Sequence, residues 1–389
     1  MPNFTIFEQI IALIPNYIFD NLSLKFKINR NTKGFTGWDH LLAMLCGQFC
    51  NSQSLRDICF SMSLGLHNYK SLGISKLPTK SNLSYRNNHC DPVFFELLYH
   101  RLRDYFGQQL GIQNLPNLKG NKIYALDSTL ISLCLQMFDW AKYRQTKGGV
   151  KMHVLLDFDG YMPAYMYMSE GKLADNVAAK SIPLPPNAVV VADRGYMDFK
   201  LLDKWNQADV FFVVRCKDNQ KWSIEKTLKT EGQTNIVSDC LVRPEKDQSN
   251  ALYDGMLRKI VAIDPETGKE IELLTNQLFW TAETISLLYK KRWEIENFFK
   301  SMKQRLRIKS FLGTSVNAVL TQMWTSLITM LLLKVLKAKA KYDWSLSNLV
   351  NAIRAALFTR ITLFNWLDNP KSKQYDIKTE KSSQLSIFN

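Results

Sequence analysis

Three carboxylates in this chain stand where chemistry is done. "IYALDST" ends one apolar run with Asp127, and "AVVVADRGY" ends another with Asp193. In α/β sheets, ligands and reacting groups collect at the carboxyl ends of strands. The third carboxylate is Glu296, in "YKKRWEIENFFKSMK" at residues 289–303. With Tyr289 set at about 0° on a helical wheel of about 100° per residue, Arg292 falls near ~300°, Lys303 near ~320° and Glu296 near ~340°. Leu288, Ile295, Phe298, Phe299, Met302 and Leu306 fill the neighbouring arc, so the four polar residues border a buried stripe. Lys291 falls inside that stripe, and its long stem lets it snorkel out.

Two Asp and one Glu are hard oxygen ligands of the kind Mg²⁺ prefers. Two such ions roughly 3.5–4 Å apart activate an oxygen nucleophile and stabilise a leaving oxygen, which is what phosphodiester cleavage needs. Asp127, Asp193 and Glu296 are therefore the candidate metal ligands, for Mg²⁺ or its common substitute Mn²⁺. Arg292 and Lys303 would hold the phosphate strand. Tyr289 would bond the phosphate or pack on a sugar or base. Trp293, at about 40° on the same wheel, either stacks on an unpaired base or is buried. Arg194 reaches a phosphate or makes a surface ion pair. The bland alternative for the helix is a pair of i,i+4 ion pairs worth tenths of a kcal/mol. Against it, residues 289–312 carry eight Lys/Arg and two Glu, an excess that suits phosphates.

Other titratable groups rank lower. Asp157 and Asp159 in "LLDFDGY" look like hairpin-turn residues. His153 sits inside a strand-like run and reads as structural. Ser128 and Thr129 either hydrogen-bond to the site's carboxylates or are plain turn residues, and the second reading is preferred. There is no GxxxxGK[ST] phosphate loop and no legible Ser-His-Asp or Cys-His set, so nucleotide-driven chemistry is not expected.

The whole chain supports a polyanionic partner. Its 389 residues carry a formal charge of +15, on an ordinary globular background of 46% hydrophobic and 22% charged residues. Such a surplus speaks to partners and not to fold. Seven dispersed cysteines without a CxxC predict reduced thiols in a cytosol. The N-terminus lacks a signal-peptide pattern. The uncharged run from Ser310 to Leu333 is long enough to span a bilayer, but Asn317, Gln322 and several Ser/Thr predict a core helix and no membrane partner.

Four regions are expected. Residues 1–118 show helical periodicity, with Asp91 and Pro92 opening one helix and residues 79–90, including Arg86, Asn87 and Asn88, resembling a helix-turn-helix reader or a plain packing helix. "IQNLPNLKGN" reads as a linker. Residues 119–312 form the catalytic core. "KIYALD", "LISLCLQ", "VKMHVLLDFDG" and "PAYMYMS" are strand-like, followed by a helix at "LADNVAAKSI", a strand at "AVVVAD", a helix at "MDFKLLDKWNQ" and a strand at "VFFVVRC". That order predicts a mixed α/β sheet of the RNase H type. A β subdomain is expected at about 217–280. Residues 313–370 are helical, and 371–389 form a polar tail.

These motifs resemble bacterial insertion-sequence transposases with a DDE, RNase H-like core, of the subgroup marked by Tyr, two residues, Arg, three residues, Glu, six residues, Lys. Every spacing is met in "YKKRWEIENFFKSMK", and the likeness extends to "ALDST", "KGGVKMHVLLD" and "VVVADRGY", over about residues 120–312. The resemblance implies that Asp127, Asp193 and Glu296 are the metal-binding catalytic triad and that Tyr289, Arg292 and Lys303 handle the transposon end. It implies hydrolysis at that end, a hairpin intermediate, and attack of the 3′-hydroxyl on target DNA. The partners would be double-stranded DNA, as terminal repeats and target, and a second copy in a synaptic dimer, in a bacterial, nucleoid-associated setting. Two other readings are an RNase H-fold nuclease that cuts without joining and an inactive DNA-binding protein.

Overall fold

The computed structural model describes residues 4–370 apart from 31, 33, 66–68, 111–119, 134–141, 145–146, 219, 231–233, 246–252, 254, 265–266 and 307–310. The expected linker, most of "LCLQ" and the polar tail lie outside the described residues.

Six helices come first: α1 (Ile6–Ile11), α2 (Asn16–Lys25), α3 (Gly37–Cys50), α4 (Leu55–Gly65), α5 (Lys80–His89) and α6 (Val93–Leu110). Then follow β1 (Ile123–Leu133), β2 (Lys142–Arg144), β3 (Lys147–Asp157), β4 (Met162–Glu170), α7 (Asp175–Ala179), β5 (Val189–Ala192), α8 (Phe199–Gln207) and β6 (Phe211–Arg215). Four more strands, β7 (Trp222–Thr227), β8 (Ile236–Pro244), β9 (Leu257–Ile263) and β10 (Glu270–Thr275), lead to α9 (Ala282–Lys291) and α10 (Trp293–Arg305). The chain closes with α11 (Val316–Lys339), α12 (Leu346–Ala356) and α13 (Leu363–Asp368).

β1 pairs antiparallel with β3 and parallel with β5, β3 pairs antiparallel with β4, and β5 pairs parallel with β6. The order β4-β3-β1-β5-β6, with a helix entering between β4 and β5 and another between β5 and β6, is that of an RNase H-like core. β5 explains the layering. Val189 and Val191 face one cluster of buried side chains, and Val190 and Ala192 face the other. A strand of this kind is apolar on both faces because helices cover both. The first face carries α3, α6, α9, α10 and α11, and the second carries α7 and α8.

Two expectations need correction, and one is extended. "KIYALD" and "LISLCLQ" are not two strands: β1 is continuous from Ile123 to Leu133, because β3 supplies an unbroken antiparallel partner from Tyr124 to Leu133. Asp127 is therefore mid-strand, although the parallel pairing with β5 stops one residue earlier, at Leu126↔Ala192. The insertion contributes β7, β8, β9 and β10, and these continue the main sheet. β10 pairs antiparallel with β6, so β10, β9, β8 and β7 extend the same sheet, ten strands in all among the described residues. The signature stretch is not one helix. The ladder tightens at Arg292, where 3.0 Å bonds run from the Arg292 amide to the Tyr289 carbonyl and from the Ile295 amide to the Arg292 carbonyl, dividing α9 from α10.

The uncharged run forms α11, and 89% of its most apolar window is buried within the chain. Several of its polar residues are satisfied locally. The hydroxyls of Thr325, Ser326 and Thr329 donate to the carbonyls four residues back at 2.7–2.9 Å, and the Gln322 side-chain oxygen accepts the Leu312 amide at 2.9 Å.

Candidate active site

Alternation along β1 fixes which way Asp127 points. Ala125 and Ile131 belong to the cluster beneath α10, while Tyr124 and Leu126 belong to the cluster beneath α7 and α8. Asp127 shares the parity of Ala125, so its carboxylate faces α10. One oxygen, Oδ1, accepts the Ser128 amide at 2.8 Å. The other, Oδ2, lies 3.7 Å from Nη1 of Arg292, whose Nη2 donates to Glu296 Oε1 at 2.8 Å. The Arg292 guanidinium, 11% exposed, thus sits between Asp127 and Glu296. It lies 5.6 Å from the centre of the Tyr289 ring and 6.0 Å from that of Trp293.

Asp193 follows β5 directly and caps the short 3₁₀ turn Arg194–Tyr196, accepting the Gly195 amide at 2.7 Å. A Cβ at Gly195 would come within 3.0 Å of that same carboxylate oxygen, so glycine allows the close approach. Both other carboxylates act on Asp127. Burial pushes the Asp127 carboxyl up to about 7; the Ser128 amide pulls it down, Asp193 pushes it up, Arg292 opposes and Glu296 adds to the rise.

The donor set suits a hard divalent cation. All three groups are carboxylates, hard oxygen donors of the kind such an ion prefers, and the Asp127 carboxyl is raised chiefly by burial, with the charges of Asp193 and Glu296 adding to it. Among the described residues, no three ligating side chains are drawn tightly enough together to close a metal site. Asp127 and Glu296 are instead linked through the guanidinium.

The remaining candidates fall in different places. Tyr289 is buried at 8% exposure and packs into the core beside Arg292, and burial raises its phenol. Trp293 is 61% exposed and points to solvent. Lys303 lies further along α10, half-buried. Arg194 is exposed and pairs with Asp218 at 3.5 Å, the surface ion pair of its two readings. Asp157 and Asp159 are at the opposite end of β1, paired with Lys122 at 3.9 and 2.9 Å, and take no part in this pocket.

Ser128 and Thr129 are strand residues and not turn residues. Ser128 points to the other face of the sheet and donates to Asp175 Oδ1 at 2.6 Å. Asp175 went unnoticed in the sequence because "LADNVAA" looks like any short helix start; only the tertiary contact singles it out. Within residues 79–90, Arg86 and Asn87 turn inward, while Lys80, Ser81, Tyr85, Asn88 and His89 are exposed. Arg86 donates to the carbonyls of Ile28 and Phe35 at 2.9 and 3.0 Å, Asn87 meets buried His40 at 2.7 Å, and Asn88 accepts from Ser315 at 2.7 Å. These contacts pack α5 against its neighbours.

The family model described as "Transposase DDE domain" matches residues 118–332, and one described as a domain of unknown function (DUF4372) matches residues 3–75. A protein of Geobacillus stearothermophilus, named as a transposase for insertion sequence element IS5377, is 28% identical over 226 residues, 57% of this chain and 58% of the relative. One of Sinorhizobium fredii, named as transposase y4zB, is 30% identical over 240 residues, 60% of this chain and 66% of the relative. The chain thus spans less than two thirds of the length of both. A solved piggyBac transposase synaptic complex with hairpin DNA aligns over 95% of this chain and 82% of that one, at a TM-score of 0.42 and 14% identity. On the match over residues 118–332, more than half of its length, the chain belongs to the transposase DDE domain family.

Proposed function

We propose that the chain is a DNA transposase that cuts at the ends of its element and joins the freed 3′-hydroxyl to target DNA. The observation that carries this reading is the meeting of Asp127 and Glu296 across Arg292, with Asp193 close enough for its charge to be felt. Asp127, Asp193 and Glu296 would hold the divalent ions. Mg²⁺ or Mn²⁺ supplies the charge that activates the attacking oxygen and steadies the leaving one. Arg292 would pass from the carboxylates to a phosphate, backed by Tyr289, while Lys303 would hold the strand further along α10 and Trp293 would offer its exposed ring to a base.

Water first breaks the bond to a 3′-oxygen, leaving a 3′-hydroxyl and a 5′-phosphate. That hydroxyl then attacks a phosphodiester, forming one such bond and breaking another. A hairpin at the end arises when the attacked bond is on the opposite strand. Each transfer conserves phosphodiester bonds, which agrees with the lack of a nucleotide loop in the sequence. Double-stranded DNA is the substrate, and holding two ends together calls for at least two copies of the chain.

A labelled duplex bearing the element's terminal sequence, incubated with target DNA and Mg²⁺, should yield both a released end and a joined product. Asp193→Ala should abolish both; full activity in that variant would sink the assignment. Release without joining would favour a nuclease.

A further inference from the structure

On the far side of β1 from the three carboxylates lies a second polar cluster that the proposed chemistry does not use. Its centre is Asp175, the first residue of α7. Asp175 Oδ1 accepts the Ser128 hydroxyl at 2.6 Å and lies 3.3 Å from the Lys151 ammonium and 3.7 Å from Nδ1 of His153. Both partners are themselves held. Lys151 donates to the Leu173 carbonyl at 2.8 Å, and the other ring nitrogen of His153 meets the Ser169 hydroxyl at 2.9 Å. His153 is fully buried, and Lys151 and Asp175 side chains are 17% and 29% exposed.

Ser128 belongs to both clusters. Its hydroxyl is bound to Asp175, and its amide is bound to Asp127 Oδ1. α7 also reaches the second strand: a Cβ at Gly195 would touch Asp193 Oδ1 at 3.0 Å and Asp175 Oδ2 at 3.8 Å. Between them lies Tyr196, 1% exposed, whose hydroxyl makes no well-formed hydrogen bond. The charges of Asp127, Asp175 and Asp193 all bear on it, and Ser128, which approaches it, is already committed to Asp175. A buried polar group without a partner costs free energy, and a role at the site is one reason for a protein to bear that cost.

We propose that Asp175 is a positioning residue, which acts through Ser128 to set the orientation of Asp127 and, beside Gly195, the depth of Asp193. The inference rests on the proposed roles of Asp127 and Asp193. The Lys151 ammonium keeps the Asp175 carboxylate in place, and the buried His153 ring packs beside it. Asp175 keeps the Ser128 hydroxyl on the α7 face, which aligns the Ser128 amide with Oδ1 of Asp127 and leaves Oδ2 turned toward Arg292 and Glu296. Groups that orient metal ligands in this way matter nearly as much as the ligands, typically ~10–100-fold in metal affinity or activity when removed.

The test compares the full chain with Asp175→Ala, Ser128→Ala, the double variant and Asp127→Ala. Mn²⁺ binding to the DNA-free protein is followed by electron paramagnetic resonance, and end cleavage is measured across a Mn²⁺ series. Thermal melting checks folding. Asp127→Ala should lose Mn²⁺ binding; if it binds and cleaves like the native chain, the catalytic reading itself fails. With that control satisfied, Asp175→Ala and Ser128→Ala should each raise the half-saturating Mn²⁺ concentration by about tenfold or more. The double variant should be no worse than Asp175→Ala, since the two act in series. Native Mn²⁺ midpoints in both single variants, or losses that multiply in the double variant, would overturn the inference. If Asp175→Ala unfolds, Ser128→Ala decides alone by the same midpoint.

Discussion

At the scale of single residues, the exposed Trp293 and the buried Tyr289 divide the work of the signature stretch. Both flank the Arg292 guanidinium, yet one ring is in water and the other in the core. Trp293→Ala should therefore leave folding stability within about 0.5 kcal/mol of native while weakening end binding by roughly 1–3 kcal/mol, the usual worth of a base stacked on an aromatic ring. Urea unfolding and fluorescence anisotropy with an end duplex measure the two quantities. A loss of stability without a loss of binding would show that Trp293 packs and does not stack. The buried His40 offers a second test at this scale. Burial lowers its ring to about 4, the bond to Asn87 raises it, and Arg86 lowers it further. A base held below its ordinary value is stabilising when neutral, so its contribution is complete above about pH 6.5 and is lost as pH falls toward 4, on the order of 3 kcal/mol. His40→Gln should be less stable at pH 7 but lose less on acidification, as read from urea midpoints at pH 7 and 4.5.

Among elements, the added strands β7–β10 matter because they brace α9, which leads into the helix that carries the third carboxylate. Arg258 on β9 and Asp239 on β8 form an ion pair with side chains 5% and 1% exposed. The same guanidinium also donates to the Trp280 carbonyl, just before α9. Thr234, before β8, donates its amide to Glu283 on α9 at 3.0 Å. Removing one partner of a buried pair strands the other charge and costs about 3–5 kcal/mol. Asp239→Ala should lose that much in urea unfolding, and end cleavage should fall with it because α9 and α10 lose their footing. Asp239→Ala together with Arg258→Met should recover most of the stability, since the stranded charge is gone. Stability unchanged in the single variant would show that the pair carries nothing.

For the molecule as a whole, the helices before β1 cannot be treated as a detachable DNA reader. One continuous core runs from Ile6 in α1 through α3, α6 and α11 to Leu367 in α13 and includes Val189 and Val191 of β5. The Gln9 side chain accepts the Leu363 amide at 2.9 Å, and the Ile6 amide donates to the Thr359 carbonyl at 3.0 Å, so the two ends of the chain support each other. Deleting residues 1–110 should abolish cooperative thermal unfolding followed by circular dichroism, and not simply weaken DNA binding. A truncated chain that still melts in one sharp transition would show that the catalytic sheet folds alone. The same packing explains why α11, apolar enough in length and composition to suggest a membrane span, is a central core helix: α3 and α6 pack against it.

Local residue pattern by itself determined the elements and their order. The runs "AVVVAD" and "VFFVVR" are apolar on both faces, which demands a covered strand, and the order of strands and helices then admits few sheets. The wheel through residues 289–303 likewise placed Arg292 and Glu296 on one border of the buried stripe, because helical period is a local property. What depended on distant partners was not legible. β1 is one strand only because β3 pairs along its whole length. The insertion joins the main sheet only because β10 finds the free edge of β6. Trp293 is exposed, and Arg86 and Asn87 are turned inward, because of what packs beside them. Asp175 meets Ser128 across 47 residues of chain, a contact that no spacing rule encodes. Period and propensity act over a few residues; strand register, burial and the meeting of charges are set by the whole fold.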